Sequence, residues 1–363
     1  MGKICFLADA RSPHTLKWVR GCADLHWEMI VISHHPGEIP GARVVVHPLS
    51  LLGFPKYCWG VRRLIRQLKP DVVHAHQFGA HALYAWFSGI SPLVVSAWGS
   101  DILVYPKQSR FIRWLTKFLV RRATVITSDS SLVEGELKAY GAKDEQLIRV
   151  IFGIERCRYQ MLAGVVKGNS RLILCSPRLH EPLYNIQMII EAFSEVKKNF
   201  PELDLWLLGS GSLTPTLERI AADTEYKDSI RFWGMVSPRE SLERMGESHL
   251  MICLPSSDAT PVSLLEAMAA GTLPILSDLP AYHDWVADGV NGLFVKQDFT
   301  NLVSVLNRAV RDLALREKAA AVNRKIILER AIWEDQFQPM LKYYALRKKS
   351  CNDSNNINGD GEK

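Results

Sequence analysis

Short apolar runs rich in β-branched residues alternate with helix-period segments along almost the whole chain, and the series runs twice. In the first half the runs are Ile4–Leu7, Met29–Ser33, Val44–His47, Val72–His76, Leu93–Ala97 and Val125–Ser128, with helical patterns between them at Thr15–Asp24, Tyr57–Leu68 and Phe111–Arg122. In the second they are Leu172–Cys175, Leu203–Leu208, Ile230–Trp233, Leu250–Leu254, Leu273–Ser277 and Leu293–Val295, with helical patterns at Asn185–Lys198, Ser263–Ala270 and Leu302–Leu313. A strand that is apolar throughout, instead of alternating, has both faces covered, as in a parallel sheet flanked by crossover helices. The chain therefore predicts an α/β protein of two doubly wound parallel sheets, and its 363 residues are too many for one ordinary core. Ligands of such sheets sit outside the carboxyl ends of the strands, so the cleft between the two domains is the expected site.

Periodicity lapses at Gly153–Ser170 and then resumes. The expected division is a first domain over 1–152, a linker over 153–170, a second domain over 171–331 and a helix over 332–349 that Pro339 is placed to kink. The remainder, 350–363, is rich in Asn, Asp, Ser and Gly and reads as a disordered tail.

Seven scattered cysteines with no CxxC pair argue against a disulfide framework or a structural zinc site and favour a reducing compartment. Met1–Ala8 reads as a first strand, not a secretory leader, so a cytoplasmic location is expected. Val72–Ser100 carries no Asp, Glu, Lys or Arg and is long enough to span a bilayer. Gly89-Ile90-Ser91-Pro92 interrupts it and three histidines dot its first half, which suits a strand, a helix, a turn and another strand. Charge is uneven: residues 1–150 hold 19 Lys and Arg against 11 Asp and Glu, a balance of +8, while the remainder holds 25 against 27, a balance of −2. The basic first half suits an anionic surface or substrate.

The most informative segment is Pro255-Ser-Ser-Asp258-Ala-Thr-Pro261-Val-Ser-Leu-Leu-Glu266-Ala-Met-Ala-Ala-Gly271, which follows the strand Leu250–Leu254. Pro261 favours the first turn of a helix, so free N–H groups over Thr260, Pro261's neighbours Val262 and Ser263, and Leu264 face the strand's carboxyl end as an anion site. Glu266, one turn inside, is placed to accept two hydrogen bonds from a diol, and Asp258 can do so for sugar hydroxyls.

This segment resembles the family 4 retaining glycosyltransferases of the two-Rossmann, GT-B type, which carry Glu-x7-Glu followed by Ala-Met-Ala-x-Gly. Spacing is kept here, with Asp258 first and Glu266 second. The resemblance implies a nucleotide diphosphate sugar as co-substrate, ribose binding by Glu266, donor-sugar contact by Asp258, no metal and no other cofactor, and a C-terminal helix returning toward the N-terminal domain. It covers nearly the whole chain. Ser176-Pro177-Arg178-Leu179 matches the family's diphosphate-clamping Arg, but Tyr184 stands where its Lys partner is usual. Gly209, in Leu208-Gly209-Ser210-Gly211, matches a turn near the donor, and Val236 lies in a segment that edges the nucleotide base. By the same likeness the second domain binds the donor and the first the acceptor.

On the acceptor side, Asp9-Ala10-Arg11-Ser12-Pro13-His14 follows the first strand without the Gly-x-Gly-x-x-Gly of a nicotinamide enzyme. Arg11 and His14 are candidate catalytic residues beside Arg178 and Asp258, although Ser12 also reads as a plain helix cap. Trp98-Gly99-Ser100-Asp101 resembles the family's His-Gly-Ser-Asp, with Trp98 in the His place and Asp101 kept. His74 and His76 share a strand face; His76, nearer the carboxyl end, is the acceptor-side candidate, and His74 reads as a satisfied core histidine. Arg110, Arg113, Lys117 and Arg121 share a helix face beside Phe111, Trp114 and Phe118, which suits an anionic membrane surface as well as an ordinary solvated face; nucleic acid is not expected.

The function these readings imply is hexose-type transfer, independent of metal, to a glycan or lipid-linked acceptor in cell-surface polysaccharide synthesis, peripheral at the inner face of the membrane. A nucleotide-sugar 2-epimerase on the same fold and a non-catalytic nucleotide-sugar subunit are the alternatives.

Overall fold

The computed structural model describes residues 2–47, 54–168, 170–258, 262–296 and 298–356. They form two compact units, Met1–Ile151 with Glu334–Lys363, and Phe152–Trp333.

Seven parallel strands build the first unit: β1 (Lys3–Leu7), β2 (Glu28–Ser33), β3 (Arg43–Val46), β4 (Val72–His76), β5 (Leu93–Ser96), β6 (Val125–Ser128) and β7 (Leu147–Arg149). Their order is β3-β2-β1-β4-β5-β6-β7. The sheet grows outward from β1 and then restarts on its other side at β4, in the register Ile4↔Val72 to Leu7↔Ala75. Strand order thus reverses between β1 and β4, and the loops after these two strands flank the crevice that such a reversal opens. The central strands β4, β5 and β6 are buried at every residue, including the His, Ser and Thr they carry among Val, Ile, Leu and Ala.

Six parallel strands build the second unit: β8 (Leu172–Ser176), β9 (Leu203–Leu208), β10 (Ile230–Gly234), β11 (Leu250–Cys253), β12 (Leu273–Ser277) and β13 (Leu293–Val295), ordered β10-β9-β8-β11-β12-β13. Here the reversal falls between β8 and β11, paired as Leu250↔Leu174 and Met251↔Cys175. Helix Ile186–Lys197 buries Ile186, Ile189, Ile190, Phe193 and Val196, at three- and four-residue spacing, in the core formed with β8 and β9.

Two doubly wound sheets are therefore present, and Val72–Ser100 is β4, a helix at Ala80–Ser88, and β5. Among the described residues no helix is long and apolar enough to cross a membrane. Three expectations need correction. The segment expected as a linker, 153–170, carries a helix, Arg156–Ala163, and is held within the second unit: Lys167 Nζ donates to Ser248 O at 2.5 Å and to Gly271 O at 3.2 Å. The terminal helix is interrupted one residue before Gln338, giving Trp333–Gln336 and then Gln338–Asn356, since Pro339 is tolerated in a first turn but not in a helix interior. That second helix runs past the expected limit at 349, through the start of the presumed tail; 357–363 lie outside the described residues.

The helix Gln338–Asn356 belongs to the first unit, where its Tyr344 is fully buried. The Tyr344 hydroxyl lies 2.7 Å from His74 Nδ1 and accepts from Trp18 Nε1 at 3.3 Å. His74 Nε2 meets Ser96 Oγ at 2.8 Å, so both ring nitrogens are bonded, and burial pushes its pKa down to about 3. His74 is a neutral core residue that helps seat the terminal helix.

Candidate functional site

In the second unit the loops after β8 and β11 come together where strand order reverses. Arg178, two residues past β8, reaches Asp258, five residues past β11: Nη2 donates to Oδ2 at 2.9 Å, with 13 and 17% of the two side chains exposed. Tyr282 donates its hydroxyl to the same Oδ2 at 2.9 Å, and Cys253, the last residue of β11, lies 3.7 Å from that hydroxyl. The Arg178 guanidinium also sits over the Tyr184 ring, 4.3 Å from its centre. Burial works against the Arg178 charge, but the Asp258 carboxylate beside it supports it, and its pKa lies above the ordinary value. Burial likewise holds the Cys253 thiol up at about 11 and, with Cys253 and Asp258 beside it, raises the Tyr282 phenol. Both stay protonated at neutral pH and serve as donors.

Tyr184, which stands where the resemblance leads one to expect a Lys, packs its ring face against Arg178. Just after it, Asn185 adopts the left-handed conformation (φ 52°) and its Nδ2 donates to Leu254 O at 2.8 Å, pinning the two loops together.

Gly209 lies where the carboxyl ends of β8, β9 and β10 converge. Its N–H donates to Gly234 O at 2.7 Å, its φ is +97°, and an added Cβ would stand 3.0 Å from Arg178 O. Only glycine allows both the conformation and the approach. Val236, two residues past β10, is half-buried at the same end of the sheet.

Thr260 and Pro261 lie outside the described residues. Beyond them the helix Val262–Ala269 begins as the sequence implies, with Val262 and Ser263 in its first turn. The Leu264 side chain is fully buried, which leaves its backbone N–H as the group it has to offer. The Ser263 hydroxyl is buried with no hydrogen-bond partner among the described residues. Glu266 is mostly buried, and Arg158 Nη1 approaches its Oε1 at 3.5 Å while Arg158 Nε holds Glu155 Oε2 at 2.9 Å. Each acidic position of the motif is thus faced by an arginine: Asp258 by Arg178 and Glu266 by Arg158.

In the first unit three candidates cluster at the β1–β4 reversal. The Trp98 ring lies 5.1 Å from the His14 ring and 5.0 Å from the His76 ring. His76 Nδ1 is 3.3 Å from Thr15 Oγ1, and its Nε2 is buried with no hydrogen-bond partner among the described residues. Burial, then the neighbouring His74, His81 and His14, set the His76 pKa well below the ordinary value; burial also lowers that of His14. Both rings are neutral at pH 7. Asp101 is placed differently. It is buried, and its two oxygens accept from Phe78 N at 2.8 Å and Trp98 N at 3.0 Å, so it braces the loops after β4 and β5 from inside. Burial outweighs those bonds and raises its pKa to about 6. Arg11 is gripped by Asp9 through Nε at 3.1 Å and Nη2 at 2.9 Å on the exposed loop, which holds the Asp9 carboxyl down at about 2. Ser12 precedes the helix Pro13–Gly21 but makes no side-chain cap.

Sequence reasoning missed Tyr282 and Arg158. Tyr282 follows β12 in a Leu-Pro-Ala-Tyr turn with no motif; its only signal was position, at the carboxyl end of the strand beside β11. Arg158 fell in the presumed linker.

Comparison with known proteins places these geometries in context. The family described as Glycosyl transferase 4-like matches residues 3–130, and that described as Glycosyl transferases group 1 matches residues 163–326. The chain is 23% identical over 242 residues to the alpha-monoglucosyldiacylglycerol synthase of Streptococcus pneumoniae, a match covering 63% of this chain and about half, 51%, of that protein. It is 24% identical over 292 residues to the phosphatidyl-myo-inositol mannosyltransferase of Mycobacterium leprae, covering 78% of this chain and 75% of that one. The fold is that of Anabaena Alr3699/HepE, solved in complex with UDP and glucose, at a TM-score of 0.73 and 16% identity over 95% of this chain and 100% of that one.

Proposed function

Because this chain belongs to the glycosyl transferases group 1 family, with a glycosyl transferase 4-like first domain, we propose that it transfers a hexose-type sugar from a nucleotide diphosphate donor to a lipid-linked or glycan acceptor. The observation that carries this reading is the Arg178–Asp258 pair at the β8–β11 reversal, beside the helix Val262–Ala269. A fixed cation and the N–H groups of a helix start suit a diphosphate, and a carboxylate one turn inside that helix, Glu266, suits the ribose diol. The relatives are named as a synthase of monoglucosyldiacylglycerol and a mannosyltransferase of phosphatidyl-myo-inositol, which supports a lipid-linked acceptor and transfer over the 2-epimerase and non-catalytic readings.

In the proposed reaction the bond from the anomeric carbon to the diphosphate oxygen breaks as the acceptor hydroxyl bonds to the same face of that carbon. The hydroxyl proton passes to a phosphate oxygen. The configuration is retained, and neither a protein nucleophile nor a metal is invoked. Arg178 stabilises the charge that gathers on the leaving diphosphate, and Asp258 orients the sugar. His76, His14 and Trp98 of the first unit bind the acceptor.

Incubation with UDP-, GDP- and ADP-sugars, with nucleotide release followed in the presence and absence of lipid extract, tests this. One donor is expected to be selected, and Glu266→Ala is expected to weaken nucleotide binding about 10- to 100-fold, through the loss of two hydrogen bonds to a charged acceptor. Failure of the folded protein to bind any nucleotide sugar would sink the reading.

The membrane partner belongs to the same proposal. Phe111, Trp114 and Trp59 are 66, 60 and 63% exposed, and they extend a run of ring contacts through Phe118, Trp86 and Phe87 on three helices. Arg62 lies over Trp59 and Phe87, and Arg122 over Phe118, with Arg110, Arg113, Lys117 and Arg121 nearby in sequence. Such rings, flanked by cations, suit the interface of an anionic bilayer at the inner face of the membrane. In sedimentation with phosphatidylglycerol vesicles, Trp114→Ala combined with Arg113→Glu is expected to lower the bound fraction at least about tenfold, with little binding of wild type to phosphatidylcholine. Equal binding of wild type and variant to both vesicles would contradict the assignment.

A further inference from the structure

We propose that Tyr282 is a positioning residue that keeps the Asp258 carboxylate satisfied when Arg178 passes from Asp258 to the donor's diphosphate. The inference rests on the donor-site reading above and goes beyond it, since no feature of the motif points to position 282.

In the structure Asp258 Oδ2 accepts from both Arg178 Nη2 and the Tyr282 hydroxyl, each at 2.9 Å. A guanidinium that turns to a diphosphate gives up some or all of its hold on the carboxylate. Asp258 is only 17% exposed, so a weakened pairing takes the Arg178 cation from a largely buried carboxylate, which is costly. Tyr282 is built to meet that demand. It is fully buried, its ring is fixed in a short turn after β12, and Leu279 O accepts its backbone N–H at 3.0 Å. The one proton of the Tyr282 hydroxyl goes to Asp258, so in the 3.7 Å contact with Cys253 Sγ the thiol is left as the donor. The raised Tyr282 phenol and Cys253 thiol fit a chain in which neither gives up its proton. The chain runs from Cys253 Sγ–H to the Tyr282 hydroxyl, from that hydroxyl to Asp258 Oδ2, and meets Arg178 there from the other side.

Removing the hydroxyl therefore penalises the diphosphate-bound state more than the free state, because in the free state Arg178 still covers Asp258. A merely structural role would penalise both alike. The consequence is confined to backgrounds in which position 258 carries a charge.

Binding of UDP, GDP and ADP, measured by titration calorimetry on the full chain, separates the cases. For whichever diphosphate the wild type binds, Tyr282→Phe is expected to weaken binding about tenfold, the range of one hydrogen bond to a charged group. In an Asp258→Asn background the same substitution is expected to change binding less than twofold, since no charge needs the donor. Asp258→Asn alone is expected to bind the nucleoside diphosphate at least as tightly as wild type, because Arg178 is no longer contested; this arm stands even where Tyr282→Phe does not fold. Equal losses in both backgrounds, no loss in Tyr282→Phe, or a tenfold loss in Asp258→Asn alone would each overturn the inference. A folded wild type that binds none of the three would overturn the donor-site reading, and this inference with it.

Discussion

Replacing Arg178 with alanine is expected to lower the rate of donor turnover by about 10²- to 10³-fold, the usual consequence of removing one fixed group aimed at developing charge. The side chain stands at the carboxyl end of β8, is mostly buried, and is held between the Asp258 carboxylate and the Tyr184 ring face. The leaving diphosphate gains negative charge as its bond to the sugar breaks, so the loss falls mainly on kcat and less on KM. Dependence on this one cation is heavier here than where a Lys shares the task, because Tyr184 supplies a ring face and no charge. Arg178→Lys is expected to restore only part of the rate, since an ammonium lacks the planar fork that holds Asp258 and stacks on Tyr184 at once. Initial rates of nucleotide release at saturating and limiting donor provide the check. An Arg178→Ala enzyme within threefold of wild type would remove Arg178 from the chemistry.

This dependence also explains which parts of the site were legible beforehand. A strand that is apolar at every residue, such as Leu250–Cys253, announces a doubly wound sheet because both faces must be covered. The loop from Asp258 to Glu266 was readable because its spacing ties a carboxylate, a helix start and a second carboxylate into one chemical unit. Contacts made across the sheet were not readable in this way. Tyr282 reaches Asp258 because β12 lies beside β11, and Arg158 reaches Glu266 because its helix packs inside the second unit; neither adjacency leaves a trace in local sequence. Asp101 shows the converse. Its type and place suggested a site residue, yet burial and two backbone donors make it a brace.

The helix Leu313–Arg330 leaves little trace in sequence for a different reason. Its buried face runs Leu315, Ala319, Asn323 and Ile327, four residues apart, so the stripe is half small or polar and gives little apolar period. Asn323 pays for its burial with bonds: Nδ2 donates to Asn291 O at 3.0 Å, and Oδ1 accepts from Asn291 Nδ2 at 2.8 Å. The turn at Asp288–Gly292 is tied to that helix through this pair. Polar residues in a core are satisfied by partners far away in sequence, and periodicity alone does not find them.

Gly153→Ala is expected to be among the most damaging substitutions outside the site. A Cβ at this position would lie 1.9 Å from Ala331 O and 2.6 Å from Ala331 C, both backbone atoms with no rotamer to yield. The two segments are joined right beside the clash, at Ile154: its N donates to Ala331 O at 2.9 Å and its O accepts from Trp333 N at 2.9 Å. Ile154, Ala331 and Ile332 are fully buried, and the Phe152 and Trp333 rings stack 5.6 Å apart, so relief requires breaking a packed crossing of backbones. Overpacking of this kind costs about 3 kcal/mol. For a unit of this size that cost corresponds to a fall of roughly 6–12 °C in its melting temperature. Gly135→Ala is the control. It lies inside the helix Ser131–Ala139 with open space around its Cβ, and alanine there is expected to be neutral or to stabilise by about 0.5–1 kcal/mol. Thermal melts of the two variants side by side decide the matter. Equal melting temperatures would mean that the Ala331 backbone yields freely, and that the crossing at Gly153 does not hold the second unit together.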